Sequence, residues 1–251
     1  MTGPAAGPEG ALAAARRMAA RAADPVLDLC IAGEGNLSVT TADGRLFVTA
    51  SGARLADLGP GDLVEVRREV ILAGLDADSD QAWLEVLLAG RVDAVSARPS
   101  VEVGLHAVLS ERRGAGVILH THPTAVLAVL SAGRGEELAL GRLLPDQVVL
   151  CGERSRLLPY VDPGRELART VRELTAGGAV EPVWLLANHG LVCCARDVQT
   201  ALDMTLMTAK CARVLLAAGP GPALAMPADQ VRRIAGREDE HYRRVRLGLV
   251  E

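Results

Sequence analysis

The sequence predicts a single α/β domain in which helices flank a β-sheet. Short apolar runs rich in β-branched residues, typical of buried strands, recur between longer segments of helical spacing. The 251 residues, 49% of them apolar, suffice for one substantial core, and no internal repeat or low-complexity linker divides them. We therefore assign residues 11–251 to one domain. Residues 1–10 are rich in Pro, Gly and Ala, so we expect a flexible N-terminus there.

Composition and charge exclude several classes of function. The net charge of -4 argues against an electrostatic surface for nucleic acid. No uninterrupted apolar stretch of about 18 residues is present, which predicts no membrane span, and the Ala-rich start lacks the apolar core of a signal peptide. The cysteines, five in number and without metal-ligand spacing, suit reduced thiols in a cytoplasmic protein.

The first third of the chain predicts helices and a hairpin. Residues 11–23 favour a helix that ends at Asp24-Pro25. Two apolar runs, LSV and RLFVT, flank Asp43-Gly44, which favours a β-hairpin turn. Beyond the hairpin we expect an extended segment over residues 63–75 and a helix over residues 81–89.

Two loops beside this hairpin carry residues suited to anions. Gly33, Gly35 and Asn36 precede its first strand, and Ser51-Gly52 follows its second. Glycine permits positive φ and close approach of the backbone, while amide and hydroxyl groups can cradle a phosphate or a carboxylate. A plain turn is the simpler explanation of each loop taken alone.

The segment from Pro99 to Pro123 predicts a helix and then a buried strand. An apolar stripe at helical spacing follows Ser100, a favourable N-cap, and consists of Val101, Leu105, Val108 and Leu109. Glu102 falls in the first turn, where the helix dipole favours an anion, so it is either a surface acid or a functional one. His106 lies four residues further on and can touch Glu102, and we assign it mainly a structural role.

The strand VILHTHP directs His120 and His122 to one face, because side chains two apart on a strand share a face. Two imidazoles can share a metal ion, and zinc, iron, copper and nickel all suit imidazole. The alternative is a histidine that caps the strand end beside an exposed one, and H-x-H alone leaves the two interpretations evenly matched.

The second half of the chain predicts more helices and strands. Apolar runs at residues 183–187 and 191–195 flank Asn188-His189-Gly190, so His189 lies at a break between strands and can face a cavity, although a lone histidine there is usually structural. The other expected elements are helices at residues 125–130, 165–175 and 198–217, a loop at residues 159–164, and a last polar helix around His241 and Tyr242.

Three stretches together resemble the class II aldolase/adducin family: GEGNLSV with TASG, PSVEVGLH with HTHP, and LLANHGLV. The resemblance covers residues 11–217, and it is closest to the branch of fuculose- and rhamnulose-phosphate aldolases. It implies a single-domain three-layer α/β/α fold with a mainly antiparallel central sheet. It also implies a homotetramer with the active site at a subunit interface.

The resemblance carries specific roles to residues of this chain. It implies a Zn²⁺ site whose ligands are His120, His122 and His189. Glu102 matches the general acid/base of the aldolases, and Tyr160 and Tyr242 are candidates for reaching the substrate. The positions that match the substrate phosphate-binding loops are Asn36, Ser51, Gly52 and Ser100. Three neutral imidazoles leave an open coordination position, where zinc can act as a Lewis acid while a carboxylate moves the proton.

Two positions depart from the family pattern. Val101 stands where the sugar-phosphate aldolases often carry a second serine, and Thr40 stands where an arginine often follows G-N-x-S. Both changes weaken the case for a phosphorylated substrate and leave the metal site intact. Glu102 favours carbon–carbon lyase chemistry, because the epimerase branch carries a different acid there and the dehydratase branch carries none.

We therefore expect a zinc-dependent aldolase-type lyase of carbohydrate metabolism, although another divalent transition metal can take the place of zinc. It would make or cleave a C–C bond through a metal-stabilised enediolate of a small, sugar-like hydroxy-ketone, phosphorylated or not. One alternative is a metal-dependent decarboxylase or epimerase of a keto acid or ketose phosphate on the same fold. Another is a non-catalytic adducin-like scaffold, which predicts lost ligands and is disfavoured because the histidines and Glu102 are all present.

Overall fold

The computed structural model of the protein describes residues 7–114, 116–178, 180–221, 223–247 and 249–250. Across these residues the strands are β1 (Asn36–Thr40), β2 (Leu46–Thr49), β3 (Leu63–Val66), β4 (Val117–Thr121), β5 (Arg156–Leu158), β6 (Val183–Leu186) and β7 (Gly190–Ala195). The helices are α1 (Pro8–Ala22), α2 (Arg68–Ala73), α3 (Asp80–Ala89), α4 (Val103–Arg113), α5 (Thr124–Ser131), α6 (Gly135–Leu140), α7 (Pro145–Cys151), α8 (Arg165–Leu174), α9 (Val198–Ala217), α10 (Ala228–Gly236) and α11 (Glu238–Arg246).

The strands form one sheet in the order β3-β2-β1-β4-β7-β6-β5. Every neighbouring pair is antiparallel except β5 and β6, which run parallel. The register of β1 and β4 places Asn36 opposite His120. The connection between β6 and β7 is tight, so that Leu186 pairs with Gly190. The predicted α/β fold with a mainly antiparallel sheet is confirmed.

Helices cover both faces of the sheet and complete three layers. One core contains Leu37 and Leu119 together with residues of α1, α5 and α9. The other contains Ile118 and Val192 together with residues of α2, α3, α4 and α8. Leu119 and Ile118 belong to different cores because neighbouring residues on a strand point to opposite faces. All five cysteines are buried and free, as the sequence predicts.

The extended segment expected over residues 63–75 is only partly right, because α2 follows directly after β3. Ile71 and Leu75 are completely buried and four residues apart, which is the burial pattern of a helical face. Between β3 and α2, the N–H of Arg67 donates to the backbone oxygen of Gly90 at the end of α3.

The helix after Ser100 begins later than the sequence predicts. The N–H of Ser100 still donates to the backbone oxygen of Thr49, so this segment remains bound to the strand region. Ser100 Oγ accepts the N–H of Glu102 at 3.3 Å in the turn before α4. Glu102 is therefore the N-cap residue of α4. Val101, expected in the buried stripe, is 43% exposed.

The segment that forms α6, α7 and β5 is organised by a buried arginine that the sequence analysis missed. Arg142 is 1% exposed, and its guanidinium donates to the backbone oxygens of Gly152 at 2.7 Å and of Ala139 at 3.1 Å. A single arginine gives no periodic pattern, so its burial has no signature in the sequence.

The remaining helices lie within a few residues of their expected positions. α1 begins at Pro8, and the rest of the expected flexible N-terminus, residues 1–6, lies outside the described residues. The polar tail forms two helices, α10 and α11, rather than one. Within the described part of the chain, no helix is both long and apolar enough to cross a bilayer.

Close packing between α4 and α8 determines where the start of α4 lies. A Cβ built on Gly104 would be 2.8 Å from the Cβ of Ala168 and 3.0 Å from Leu75 Cδ2. The Cβ of Ala168 is attached directly to the backbone, so this contact can be relieved only by moving a helix. Since Glu102 is the N-cap of α4, the spacing of the two helices also positions its carboxylate.

We expect Gly104→Ala to lower the free energy of unfolding by about 1–3 kcal/mol, the usual effect of overpacking a core, although alanine favours helices. Urea unfolding followed by circular dichroism measures the change. Gly236→Ala is the matched control, because an added Cβ in α10 would meet nothing within 4 Å. It should be neutral or stabilise by up to about 1 kcal/mol. Identical midpoints for Gly104→Ala and the wild type would contradict the close approach.

Candidate metal centre and active-site cleft

The candidate site lies where the central strands β1 and β4 meet the turn between β6 and β7. Asn36 and His120 are opposite each other on the ladder, and alternation places Ser38 on the same face, under α4. His122 follows the end of β4, and His189 lies in the β6–β7 turn. Because β7 is the neighbour of β4, this turn brings His189 beside His120.

The three histidines that the resemblance names as metal ligands converge. The Nε2 of His120 lies 3.0 Å from that of His122 and 3.2 Å from that of His189. One ring nitrogen from each residue lies within 4.8 Å of the others. The side chain of His120 is 1% exposed and that of His122 is 20% exposed, so the cluster is deepest at His120 and reaches solvent at His122.

Burial keeps two of these imidazoles neutral. It lowers the pKa of His120 to about 3, with a further contribution from His122. It lowers the pKa of His189 to about 4, with a further contribution from His120. The Nδ1 of His120 donates to the backbone oxygen of Leu191 at 3.0 Å, so the lone pair of the neutral ring is on Nε2, which faces the other rings. This is the form of histidine that binds metals.

The donor set fits a divalent transition metal. Imidazole nitrogens about 2.0–2.1 Å from a tetrahedral zinc lie roughly 3.3 Å apart, close to the two shorter Nε2 separations in the cluster. Three nitrogen ligands also leave a position open for substrate. Zinc, iron, copper and nickel all accept such ligands, so the donors alone do not select the metal.

Glu102 lies directly beside the imidazoles, and its side chain is not that of a surface acid. Its Oε2 is 3.4 Å from His120 Nε2, and its Oε1 is 3.5 Å from His189 Nε2. Glu102 is 5% exposed. Its Oε2 accepts a hydrogen bond of 2.6 Å from Asn36 Nδ2, whereas Oε1 is buried and has no hydrogen-bond partner among the described residues.

Asn36 connects Glu102 to two further buried side chains. Asn36 Oδ1 is hydrogen-bonded to His106 Nε2 at 2.5 Å, and His106 Nδ1 to Ser38 Oγ at 2.8 Å. His106 is completely buried, which lowers its pKa to about 4. The sequence predicts that His106 can touch Glu102, whereas in the structure Asn36 links the two by hydrogen bonds. The resemblance assigns Asn36 to a phosphate-binding loop, but its side-chain nitrogen and oxygen both form hydrogen bonds within the protein.

A cleft of about 440 Å³ opens beside the cluster. The sequence-predicted residues on its walls are Asn36, Ser51, Gly52, Ser100, Glu102 and His122. Two of its loops are joined by backbone hydrogen bonds, from the N–H of Ser51 to the oxygen of Arg98 and from the N–H of Ser100 to the oxygen of Thr49. The loop after the hairpin and the segment before α4 are therefore joined at this cleft, and Gly33 and Gly35 of the loop before the hairpin also line it.

Arg98, which the sequence analysis did not single out, lines a neighbouring pocket that shares Val101 and Pro163 with this cleft. Its Nη2 donates to Ser51 Oγ at 3.1 Å. In the described part of the chain, no carboxylate is paired with it, and the N–H groups of Gly52 and Val101 donate to no protein acceptor. The region around Ser51 and Arg98 therefore offers a guanidinium and several N–H donors beside the cleft, while Glu102 and the imidazoles lie deeper.

Glu34 and Ser38 are further residues of the site that the sequence analysis missed. Glu34 lines the cleft, with Oε1 3.8 Å from His122 Nδ1. Ser38 is 1% exposed and reaches the site only through His106. The motif G-E-G-N-x-S contains both residues. Their contacts with His122 and His106, however, depend on how β4 and α4 pack against this segment.

Gly190 allows the β6–β7 turn to approach the histidine strand. A Cβ on Gly190 would lie 2.7 Å from His122 Cδ2 and 3.0 Å from His120 Cε1. Asn188, two residues earlier, adopts a positive φ of 53°, a conformation that asparagine tolerates better than most residues. The N-H-G triplet therefore supplies both the turn and the space that the ring cluster needs.

The two tyrosines expected to reach the substrate do not line this cleft. Tyr160 is 56% exposed beyond β5, and Tyr242 is 66% exposed on α11. A hydrogen bond with Asp162 raises the pKa of Tyr160. Their role stays a prediction that depends on a neighbouring subunit.

Comparison with known proteins identifies the family. A sequence model described as "Class II Aldolase and Adducin N-terminal domain" matches residues 12–216, which is most of the chain. The protein therefore belongs to the class II aldolase/adducin family, and the resemblance found in the sequence is confirmed.

Curated relatives have different activities. The "Uncharacterized oxidoreductase YuxG" of Bacillus subtilis is 28% identical over 71% of this chain, which spans only 26% of that longer protein. A 3-oxo-tetronate 4-phosphate decarboxylase of Escherichia coli is 27% identical over 78% of this chain and 82% of its own length. A 5-methylthioribulose-1-phosphate/5-deoxyribulose-1-phosphate aldolase of Rhodospirillum rubrum is 29% identical over 80% of this chain and 79% of its own length. Family membership alone therefore leaves the reaction open.

A solved structure with the same architecture is that of YgbL from Klebsiella pneumoniae, described as a putative aldolase/epimerase/decarboxylase. It superposes with a TM-score of 0.73 over 91% of this chain and 99% of its own, at 22% identity. At that identity the likeness establishes the fold and leaves the chemistry to the site.

We expect the purified protein to bind about one divalent metal ion per chain, because three converging imidazoles make one site. His120→Ala, His122→Ala and His189→Ala should each reduce the metal content several-fold, as measured by inductively coupled plasma mass spectrometry. His241→Ala is the control, since His241 is exposed on α11 and outside the cluster. Full metal content in the His189→Ala protein would remove His189 from the site.

Proposed function

We propose that this protein is a metal-dependent aldolase-type lyase, which makes or cleaves a C–C bond next to the carbonyl of a small hydroxy-ketone. The observation that supports this most directly is the position of Glu102. Its carboxylate is buried against His120 and His189, and one of its oxygens has no partner among the described residues. A general base beside a metal site is what proton abstraction next to a carbonyl needs.

A divalent metal ion held by the three imidazoles, with zinc as our proposal, would supply Lewis acidity for the negative charge that develops on the substrate's carbonyl oxygen. In the condensation direction, Glu102 Oε1 takes a proton from the carbon next to that carbonyl. The electron pair left on this carbon forms the new bond to the aldehyde carbon, and the aldehyde oxygen takes up a proton. Cleavage is the reverse, and Glu102 then returns its proton to the carbon.

The proton for the aldehyde oxygen needs a donor on the open side of the cleft. We propose that the exposed Tyr160 or Tyr242 of a neighbouring subunit supplies it in a homotetramer. The exposure of both phenols in the isolated chain supports this assignment, since neither is committed to the core. The buried side of the site, formed by Glu102 and His120, keeps water away from the reacting carbon.

The far end of the cleft supports a substrate that carries a phosphate. Ser51, Gly52 and Ser100 line it, and Arg98, which lines the adjoining pocket, donates to Ser51 Oγ. A guanidinium without a carboxylate partner among the described residues is well suited to a phosphate, which it can bind through two parallel N–H donors. Arg98 thus offers a positive charge near the cleft, whereas Thr40, at the end of β1, stands where the family often has an arginine.

Glu102→Gln preserves the shape of the side chain and removes its ability to take up a proton. We expect it to keep its metal and fold and to lose about 10²–10⁴-fold in kcat, the usual effect of removing a positioned acid/base. Exchange of the ketone's α-proton with deuterated solvent, followed by NMR with dihydroxyacetone phosphate, should stop.

Glu111→Gln is the control for Glu102→Gln, because Glu111 is an exposed acid on the same helix, with its side chain 48% exposed. It should exchange and turn over normally. Near-normal exchange in Glu102→Gln would disprove the acid/base role. Decarboxylation of a β-keto acid by a wild type that never exchanges the α-proton would favour the decarboxylase instead.

Arg98→Gln tests the phosphate end of the cleft. We expect its KM for a phosphorylated ketone to rise about 10- to 100-fold, the equivalent of a charge-assisted hydrogen bond of roughly 1.5–3 kcal/mol, with kcat less affected. The KM for dihydroxyacetone should change less than about twofold, and inhibition by inorganic phosphate should weaken. Arg213→Gln, an exposed arginine on α9, serves as the control. Equal effects on the phosphorylated and unphosphorylated ketones would disprove phosphate recognition by Arg98.

A further inference from the structure

We propose that Ser38, His106 and Asn36 form a positioning relay that fixes Glu102 and leaves one chosen carboxylate oxygen free to take the proton. This inference rests on the proposed acid/base role of Glu102. The relay consists of three hydrogen bonds between buried groups, from Ser38 Oγ to His106 Nδ1, from His106 Nε2 to Asn36 Oδ1, and from Asn36 Nδ2 to Glu102 Oε2.

The direction of every hydrogen bond in the relay follows from the carboxylate end. An ionised carboxylate only accepts, so the NH₂ group of Asn36 must face Glu102 and its oxygen must face His106. The Nε2 of His106 must then carry the ring's single hydrogen. Its Nδ1 is left as an acceptor, which the hydroxyl of Ser38 satisfies. Only one orientation of each side chain allows all three hydrogen bonds to form, so the relay holds Glu102 in a single position.

The relay distinguishes the two oxygens of Glu102. Oε2 accepts from Asn36 at 2.6 Å, whereas Oε1, 3.5 Å from His189 Nε2, accepts from no described residue. When a proton arrives on Oε1, Oε2 remains an acceptor and Asn36 can still donate to it. The carboxylate can therefore take up and release its proton without rearranging the groups behind it, so little reorganisation accompanies the step.

Two separate elements, β1 and α4, hold the relay in place. Ser38 and Asn36 are on β1, where Ser38 pairs with Val48 on one side and Ile118 on the other. His106 is on α4, and Glu102 caps the same helix one turn earlier. His106 is completely buried and Ser38 is 1% exposed, so water cannot compete for these hydrogen bonds. Such a network is stronger than isolated bonds in water, because the surroundings are of low dielectric.

A positioning role predicts kinetics that simple packing does not. We expect His106→Leu, which fills the space and removes the donor to Asn36, to lower kcat about 10- to 100-fold, the usual effect of a small misplacement of a reacting group. KM and metal content should stay within about twofold of the wild type, because the metal ligands and the phosphate end are untouched. His106→Gln can still donate to Asn36 Oδ1 through its amide, so it should recover most of the lost kcat.

The controls separate this role from damage to the fold. Ser110→Ala also alters a buried hydroxyl on α4, one that donates to the backbone oxygen of Ala107 and lies outside the relay. It should leave kcat unchanged. Wild-type kcat in His106→Leu, or an equal loss in His106→Leu and His106→Gln with normal circular dichroism, would overturn the relay.

A spectroscopic measurement tests the relay without reference to activity. In ¹⁵N-histidine NMR spectra of the metal-loaded protein, His106 should appear as a neutral ring with its hydrogen on Nε2. Asn36→Ala should perturb its resonances, whereas Ser110→Ala should not. An Nδ1–H tautomer for His106 would overturn the proposed direction of the relay even in an active enzyme. Conversely, the predicted tautomer in a protein that never exchanges the substrate's α-proton would refute the lyase function, and with it any catalytic use of the relay.

Discussion

The antiparallel pairing of β1 with β4 is the constraint on which the site depends. Its register sets Asn36 opposite His120, and the alternation of the strands turns both side chains towards α4. A shift of one residue would send one of them to the opposite core, among the aliphatic residues under α5 and α9. The hydrophobic pattern prevents that shift, because Leu37 and Leu119 are both completely buried on that opposite face. The core thus holds the polar site in register.

The site concentrates polar groups, most of which have hydrogen-bond partners within the protein, and its buried exceptions among the described residues are Glu102 Oε1 and His189 Nδ1. His120 is neutral and donates to Leu191, and Glu102 is held by Asn36, which is itself held by His106. Buried polar groups without partners are unfavourable, so the few that remain are informative. Within the described residues, Glu102 Oε1 is one of these, and it faces the imidazole of His189. The proposed acid/base role of Glu102 depends on this free oxygen.

Much of the fold could be predicted from the sequence, because local patterns determine it. The hairpin around Asp43-Gly44, the strand that carries His120, and α9 lie where apolar periodicity and turn residues indicate. The predictions from sequence were wrong where a contact between residues far apart in the chain overrides the local pattern. The start of α4 is delayed because Ser100 is hydrogen-bonded to Thr49, and the segment around Arg142 is ordered by a buried guanidinium.

The sequence by itself determined the kinds of groups in the site, namely the histidines of H-x-H and N-H-G, an acid after P-S, and two loops rich in donors. Residue type and local spacing are sufficient for that, since they decide which side chains can bind metals or carry protons. Only the tertiary structure decided which groups are joined. It placed His106 behind Asn36 and Arg98 beside Ser51, pairs separated by 70 and 47 positions in the chain. Contacts over such distances arise from sheet register and helix packing, which no local stretch of sequence encodes.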